Sequence, residues 1–350
     1  MPPGEKPDPG QVEAKHRIPA LAVRGLTTVF PGPDGTFPIV DDVSLDVARG
    51  ETLAVVGESG SGKTMTFHSV LGIVPHPGRV ASGQALLDGV DLLKLAPHEL
   101  RKKRGSEISI VFQDPLTALN PVFTIGDQIV EVLRAHTRIS KAAARKRAIE
   151  VLARVQIPDP HRRVDDFPHQ FSGGMRQRAL IAMAIALEPK VLIADEPTTA
   201  LDVTVQAQVL ELLRDLKQET GMGLILITHD LGVVARYADR VAVLYSGRVM
   251  ELGSADHVFD QPRHPYTSAL FKSIPHLDTP AGSDLTPIEG QPPNPAAPPL
   301  GCAFEPRCFV GHGDQLCASK PPPLEAISAG ARLTRCWRWR ELDDMSRAAS

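Results

Sequence analysis

Gly57-Glu58-Ser59-Gly60-Ser61-Gly62-Lys63-Thr64 follows directly on the apolar run Leu53-Ala54-Val55-Val56. A G-x-x-x-x-G-K-[ST] pattern between a buried strand and a helix turns successive backbone N–H groups inward, where they and the helix N-terminus cradle a phosphate. Gly60 and Gly62 lack the Cβ atoms that would block that approach. Lys63 brings a positive charge to the phosphate oxygens, and the Thr64 hydroxyl can ligate Mg²⁺. The implied ligand is a nucleoside triphosphate. A second set of groups follows the run Val191-Leu192-Ile193-Ala194: Asp195 can hold Mg²⁺, directly or through water, and Glu196 can accept a proton from an attacking water. Gln113 ends the run Ile108-Ser109-Ile110-Val111-Phe112, and His229 ends Leu224-Ile225-Leu226-Ile227-Thr228. Taken singly, Gln113 and His229 are more often structural. With Lys63 and the Asp195-Glu196 pair they gather polar groups at the carboxyl ends of strands, where α/β sheets bind ligands. Ser172-Gly173-Gly174, opening a helical run to Leu187, makes a second anion site of the same physical kind, although the same residues also make a plain N-cap.

The elements that must position these groups are legible around them. The unbroken apolar runs before Gly57, Asp195 and His229 have the character of strands buried in a parallel sheet, so the fold class is α/β. Strand-like stretches at 21–30 and 39–47 precede the phosphate loop, separated by the turn-rich Pro31-Gly32-Pro33-Asp34-Gly35. Phe30 and Phe37 lie there; either can stack on a base or serve the hairpin, and Phe30 is the weakly favoured candidate for the base. After the two prolines of 114–121, which predict a loop, the period changes. Ile125, Ile129, Val132 and Leu133 mark one amphipathic helix and the basic stretch 140–155 a second, a helical insertion between strands. Its basic run is read as a solvated face. Asp202 caps a helix whose apolar face carries Val209, Leu212, Leu213 and Leu216.

Composition sets the bounds. A chain of 350 residues, 42% hydrophobic, can bury a full core and carry one large domain with an appendage. A net charge of −3 argues against a surface that grips nucleic acid throughout. The N-terminal stretch 1–18 is polar and Pro-rich, lacks the apolar region of a signal peptide and predicts a disordered lead-in. No apolar run approaches the roughly 20 residues that span a bilayer, so the expectation is a protein at most peripheral to a membrane. All four cysteines fall between Cys302 and Cys336, which points to a local device. Their spacings, C-x₅-C, C-x₈-C and C-x₁₈-C, match neither the paired knuckles of structural zinc sites nor the tight run of bacterial ferredoxins, and leave the metal open.

The order and spacing of 57–64, Gln113, Phe171-Ser172-Gly173-Gly174-Met175, 191–196, Ala200-Leu201-Asp202 and His229 resemble an ABC transporter nucleotide-binding domain over residues 21–252. The likeness implies a RecA-like core sheet with antiparallel strands and a helical subdomain at about 115–188. It implies ATP on Gly57, Ser59, Gly60, Ser61, Gly62, Lys63 and Thr64 with Phe30 at the base, and Mg²⁺ on Thr64, Gln113 and Asp195. Glu196, His229 and Gln113 take the catalytic roles. Two such domains meet head to tail, so that Ser172, Gly173, Gly174 and Met175 face the ATP of the partner, with Asp202 in the connecting loop. Met175 stands where most such ATPases have Gln, and Phe171 where Leu is commoner.

Beyond the core, His264-Pro265-Tyr266-Thr267-Ser268-Ala269-Leu270, a Pro-rich linker and Gly301-Cys302-Ala303-Phe304-Glu305-Pro306-Arg307-Cys308 resemble the ATPase subunits of dipeptide, oligopeptide and nickel importers. Ala303 stands where that family has Pro, and Trp337 follows the last cysteine. The resemblance implies an ATP-hydrolysing subunit at the cytoplasmic face of the membrane that powers uptake of di- and oligopeptides. Nickel chelates or another small solute are the alternative cargo; a soluble ABC ATPase acting on nucleic acid or ribosomes is the alternative class. Implied partners are a second ATPase subunit, by preference a paralogue, two transmembrane permease subunits and a separate substrate-binding protein, with no nucleic acid. Resemblance also implies a four-iron four-sulfur cluster on Cys302, Cys308, Cys317 and Cys336, with zinc as the alternative. The expected organisation is a lead-in at 1–18, the ATPase domain at 19–261, a family-specific helix and Pro-rich linker at 262–300, a four-cysteine domain at 301–340 and a tail at 341–350.

Overall fold

The computed structural model describes residues 19–32, 35–199, 201–273, 287–328 and 332–342. The lead-in 1–18, Ala200, the first part of the Pro-rich linker with Pro280, and the end of the tail lie outside the described residues.

In chain order the strands are β1 (Pro19–Gly32), β2 (Gly35–Ala48), β3 (Thr52–Val56), β4 (Arg79–Leu87), β5 (Val90–Asp91), β6 (Ile108–Val111), β7 (Val191–Asp195), β8 (Gly223–Ile227), β9 (Arg240–Tyr245), β10 (Arg248–Ser254), β11 (Glu325–Ser328) and β12 (Arg332–Thr334). The helices are α1 (Lys63–Leu71), α2 (Pro97–Lys103), α3 (Pro115–Ala118), α4 (Ile125–His136), α5 (Lys141–Arg154), α6 (Pro160–Arg163), α7 (Gly173–Ile185), α8 (Val203–Thr220), α9 (Leu231–Tyr237), α10 (Ala255–Asp260), α11 (Pro265–Lys272) and α12 (Gln315–Ser319). Strands β2-β1-β4-β5 form an antiparallel sheet, and a larger sheet runs β11-β12-β10-β9-β3-β8-β7-β6. From β9 to the edge strand β6 the order β9, β3, β8, β7, β6 is parallel throughout, and for β3, β7 and β8 this is what the unbroken apolar runs predict.

Strand alternation sorts the core. Val191, Ile193, Ile225 and Ile227 join Leu53 and Val55 beneath the antiparallel sheet, whereas Leu192, Ala194, Leu224 and Leu226 meet Ile129, Leu133, Ala148 and Ile181 of the helical insertion. Ala54 and Val56 face a third apolar body that contains Tyr245, Tyr266 and Phe304. The predicted loop at 114–121 contains the helical turn α3, because Asp114 accepts from Leu116 N at 2.9 Å and Pro115 fits a first helical position.

The C-terminal stretch is continuous with the main sheet. Strand β12 pairs antiparallel with β10, Glu251 opposite Thr334 and Leu252 opposite Leu333. Glu251, wholly buried, receives Arg332 Nη2 at 2.6 Å and Nε at 3.1 Å, together with the backbone N–H groups of Arg263 and His264. Arg335 reaches Asp42 of β2 at 3.0 Å. Among the described residues no helix is long and apolar enough to cross a membrane.

Candidate functional site: a phosphate loop and a carboxylate at the ends of parallel strands

The chain leaves β3 at Gly57, whose φ of 151° and absent Cβ are both required: a Cβ there would lie 2.1 Å from the Leu244 carbonyl oxygen. Gly62 stands before α1 with φ 93°, and its Cβ would come within 2.8 Å of Ile39 O. No side chain caps α1 at its N-terminus, so its first-turn N–H groups are left to an anion. Lys63 Nζ lies over the loop it belongs to, 2.8 Å from Gly57 O and 3.0 Å from Glu58 O. Burial pulls the Lys63 ammonium below its ordinary pKa, and the charges of Glu196, Asp195 and Glu58 oppose that shift. Ser59, Gly60 and Thr64 are exposed.

Strand β7 delivers its two carboxylates into different surroundings. Asp195 is 3% exposed and accepts from Thr64 Oγ1 at 3.1 Å, which joins the two expected Mg²⁺ ligands across 131 residues of sequence. Burial pushes its carboxyl above the usual range, with the Thr64 hydrogen bond working the other way. Glu196 is half-buried and its φ of 45° is left-handed. That strained conformation at a non-glycine residue is held by its N–H donating to Ile227 O at 2.9 Å. Its carboxylate accepts from Gln113 Nε2 at 2.9 Å and from Thr199 Oγ1 at 2.9 Å, and His229 Nδ1 stands 3.4 Å away. Strands β6, β7 and β8 therefore bring Gln113, Glu196 and His229 to one point, with Thr64 and Asp195 beside it. Such a carboxylate can polarise a water next to a phosphate held by the loop. Sequence reasoning missed Thr199; its only local signal is a hydroxyl three residues after the acid, in a turn closed by Thr199 N and Glu196 O.

The other expected residues stand elsewhere. Ser172 Oγ accepts from Met175 N at 3.3 Å, so it caps α7. Gly174 is required by packing, since a Cβ there would meet Val205 Cγ1 of α8 at 2.5 Å. Asp202 caps α8 by accepting from Val205 N at 2.9 Å. Among the described residues no hydrogen bond joins 172–175 to 57–64. The Phe30 ring packs on Gly78, where a Cβ would fall 2.3 Å from its Cζ, and the Phe30 backbone is in register with Phe37 across the hairpin.

Cys302, Cys308, Cys317 and Cys336 line one small cavity of about 10 Å³ together with Phe304, Gly311 and Trp337. A Cβ on Gly311 would lie 3.0 Å from Cys317 Sγ and 3.8 Å from Cys308 Sγ. Backbone N–H groups point at the sulfurs: Gly311 N at 3.2 Å from Cys308 Sγ and Arg338 N at 3.3 Å from Cys336 Sγ. Burial raises the Cys317 thiol to about 11, and burial and the other three sulfurs push Cys336 higher still. The donor chemistry suits a thiophilic metal. Among the described residues, however, no three His, Cys, Asp or Glu side chains are grouped closely enough to hold a metal ion. The cysteines are thus gathered around a space without forming a single-ion site.

Comparison with known proteins accords with this geometry. Residues 40–199 match the ABC transporter family, and residues 250–314 match the oligopeptide/dipeptide transporter C-terminal region. The chain is 49% identical over 318 residues to the dipeptide transport ATP-binding protein DppD of Bacillus subtilis (strain 168), covering 91% of this chain and 94% of that one. It is 48% identical over 318 residues to the oligopeptide transport ATP-binding protein OppD of Escherichia coli (strain K12), covering 91% and 93%. Among solved structures, the dimeric bacterial ABC transporter cassette MJ0796 matches with a TM-score of 0.60 and 29% identity, over 67% of this chain and 98% of that one. The same cassette in a post-hydrolysis state with ADP and phosphate matches equally well, with a TM-score of 0.60 and 28% identity over the same shares of the two chains. A phosphate loop facing a held carboxylate, carried on this sheet and followed by this C-terminal region, makes the chain a member of the ABC transporter family, an ATPase subunit of a peptide importer whose ATP hydrolysis is coupled to transport.

Proposed function

We propose that Glu196 is the general base for ATP hydrolysis, and the observation that carries this is the convergence of Gln113, Thr199 and His229 on its carboxylate. The phosphates of ATP lie on 57–64, with Lys63 turned from its own loop carbonyls toward them and Phe30 offered to the base. Thr64, Gln113 and Asp195 are the ligands of Mg²⁺, which when bound neutralises charge on the phosphates. Glu196 orients the water and takes its proton; His229 and Gln113 hold that geometry.

The site is completed by a second ATPase subunit. Among the described residues Ser172, Gly173, Gly174 and Met175 make no hydrogen bond to 57–64 of their own chain, which suits a head-to-tail pair in which they meet the partner's ATP and Asp202 runs along the interface. The relatives are transport proteins for dipeptides and oligopeptides, and di- or oligopeptides are the proposed cargo. That cargo would be delivered by a separate binding protein through two permease subunits, with this chain peripheral on the cytoplasmic face. Exposed Phe112, Leu116, Val122 and Phe123, beside Gln113, are apolar surface available to those subunits. The ATPase unit is placed at 19–261 with its helical subdomain at about 115–188, and 301–340 holds the four cysteines as ligands of a four-iron cluster, zinc being the alternative.

The deciding experiment is ATP turnover by the assembled transporter with Glu196→Gln in this chain and the partner's site disabled. Loss of turnover with ATP still bound supports the assignment; turnover at the wild-type rate overturns it.

A further inference from the structure

Glu58, the second residue of the phosphate loop, is held on every side. Its N–H donates to the Tyr266 hydroxyl at 2.9 Å, its carbonyl accepts from Lys63 Nζ at 3.0 Å, and its carboxylate receives both terminal nitrogens of Arg307 at 2.8 and 3.1 Å. Arg307 spends all five N–H donors: Nη1 also reaches the Tyr245 hydroxyl at 3.2 Å, Nη2 the Ile288 carbonyl at 3.1 Å, and Nε the Glu289 carbonyl at 2.9 Å. Its side chain is 5% exposed and lies over the rings of Tyr245 and Phe304. Tyr245, Tyr266 and Phe304 pack on one another with centroids 4.6 to 5.4 Å apart. One side chain thus ties the phosphate loop to the end of β9, to the linker at 288–289 and to the turn that carries Cys302 and Cys308. Arg307 is the residue before Cys308, and in that turn Arg307 N donates to Phe304 O at 3.0 Å and Cys308 N to Glu305 O at 3.1 Å.

We propose that Arg307 is a positioning residue of the ATP site, which fixes the phosphate loop through Glu58 and so makes nucleotide affinity depend on the folded state of the four-cysteine extension. A partly buried bidentate pair with every guanidinium donor used is held to one geometry. A phosphate loop binds only when its N–H groups point inward together. Any fraction of molecules in which Glu58 is released lowers the apparent affinity in proportion. An anchor that merely held the extension down would stabilise the tail and leave nucleotide affinity alone.

The inference rests on the reading of 57–64 as the ATP phosphate site, and the test separates the two. Equilibrium binding of a fluorescent ATP analogue to the full chain is measured for wild type, Lys63→Ala, Arg307→Lys, Glu58→Gln and the Arg307→Lys/Glu58→Gln double variant, each verified as folded by its thermal transition. Lys63→Ala must lose binding; if it does not, the phosphate-site reading itself fails. With that control in place, Arg307→Lys is expected to raise Kd about tenfold, as for a loop competent in one molecule of ten, and to raise KM in the assembled transporter with little change in kcat. Glu58→Gln should weaken binding similarly, and the double variant no more than either single one, because both act through one contact. Cys308→Ser should weaken binding in the wild-type background and add nothing to Arg307→Lys. Wild-type affinity in a folded Arg307→Lys protein, or losses that add in the double variant, would overturn the proposal while leaving the ATP site intact.

Discussion

The side-chain amide of Gln113 donates to the Glu196 carboxylate at 2.9 Å across 83 residues of sequence. That bond links the entry to the helical subdomain with the group proposed to activate water. Such a contact suits an ATPase whose chemistry must be joined to movement of membrane subunits.

Glu196→Gln should keep ATP binding and lower turnover by about 10²- to 10⁴-fold, the usual scale for removing a general base. Gln113→Ala should cost less, since Thr199 and His229 still hold the carboxylate. Steady-state ATPase rates with the partner's site disabled measure both, and a Gln113 variant slower than Glu196→Gln would assign the larger role to the amide.

Most of this site can be read from sequence because its groups lie at or just beyond the carboxyl ends of strands. The runs 53–56, 191–194 and 224–227 are apolar without interruption and buried, 108–111 is broken only by Ser109, and all four strands are parallel, so the residues one or two positions after each arrive at the same edge of the sheet. Thr199, Glu58 and Arg307 were not legible as partners. Thr199 works through a turn, and Arg307 finds its carboxylate 249 positions away, with no periodicity to announce it. The joining of β12 to β10 was hidden for a similar reason: three residues are too few to show a strand period, and the pairing depends on a buried charge pair between Glu251 and Arg332.

Arg332→Met should destabilise the chain by about 3–5 kcal/mol near neutral pH, because it leaves the Glu251 carboxylate buried without its cation. The pH dependence follows from sign. Burial already holds the Glu251 carboxyl above its ordinary pKa of 4.5, with Arg332 opposing, and losing Arg332 raises it further. A carboxyl with a raised folded pKa contributes its full stability below the unfolded pKa and loses it as pH rises through the folded value. The unfolded pKa is common to both proteins, so the deficit of the variant should be least where Glu251 is protonated in both and grow as pH rises through the raised folded value of the wild type. Urea unfolding across pH measures this, and adding Glu251→Gln should recover part of the loss. A deficit independent of pH would show that packing of the Arg332 stem, and not the charge, is what matters.

Limited proteolysis with subtilisin should cut first between residues 274 and 300. Residues 287–300 form no helix or strand, and Pro292, Pro293, Pro295, Pro298 and Pro299 keep that stretch from joining either. Because β12 pairs with β10 and Arg332 with Glu251, the nicked chain should elute from gel filtration as one particle and separate only under denaturant. Preferred cleavage within 191–229 would contradict the layout, and separation of native fragments would contradict the shared sheet.

The four cysteines give the last prediction. Cys302 and Cys317 are joined by backbone, Cys302 N donating to Cys317 O at 2.7 Å, and Gly311 keeps the Cys308 and Cys317 sulfurs close by having no Cβ. Among the described residues of the extension Phe304 is the large apolar side chain that is fully buried, packed with Cys302 against Tyr245 and Tyr266, while Leu300, Phe309 and Leu316 are exposed. A bound metal would add cohesion to the part of the extension that lies away from that apolar body. Four sulfurs spread around a space, with backbone N–H groups at Cys308 and Cys336, would suit a multinuclear cluster better than one ion. Protein purified without oxygen should be brown and hold about four irons per chain. Chelation should lower the thermal transition of the whole chain, since the extension shares its sheet with the ATPase core. Colourless protein with one zinc would remove the cluster and keep the staple, whereas metal-free protein with an unchanged transition would remove both.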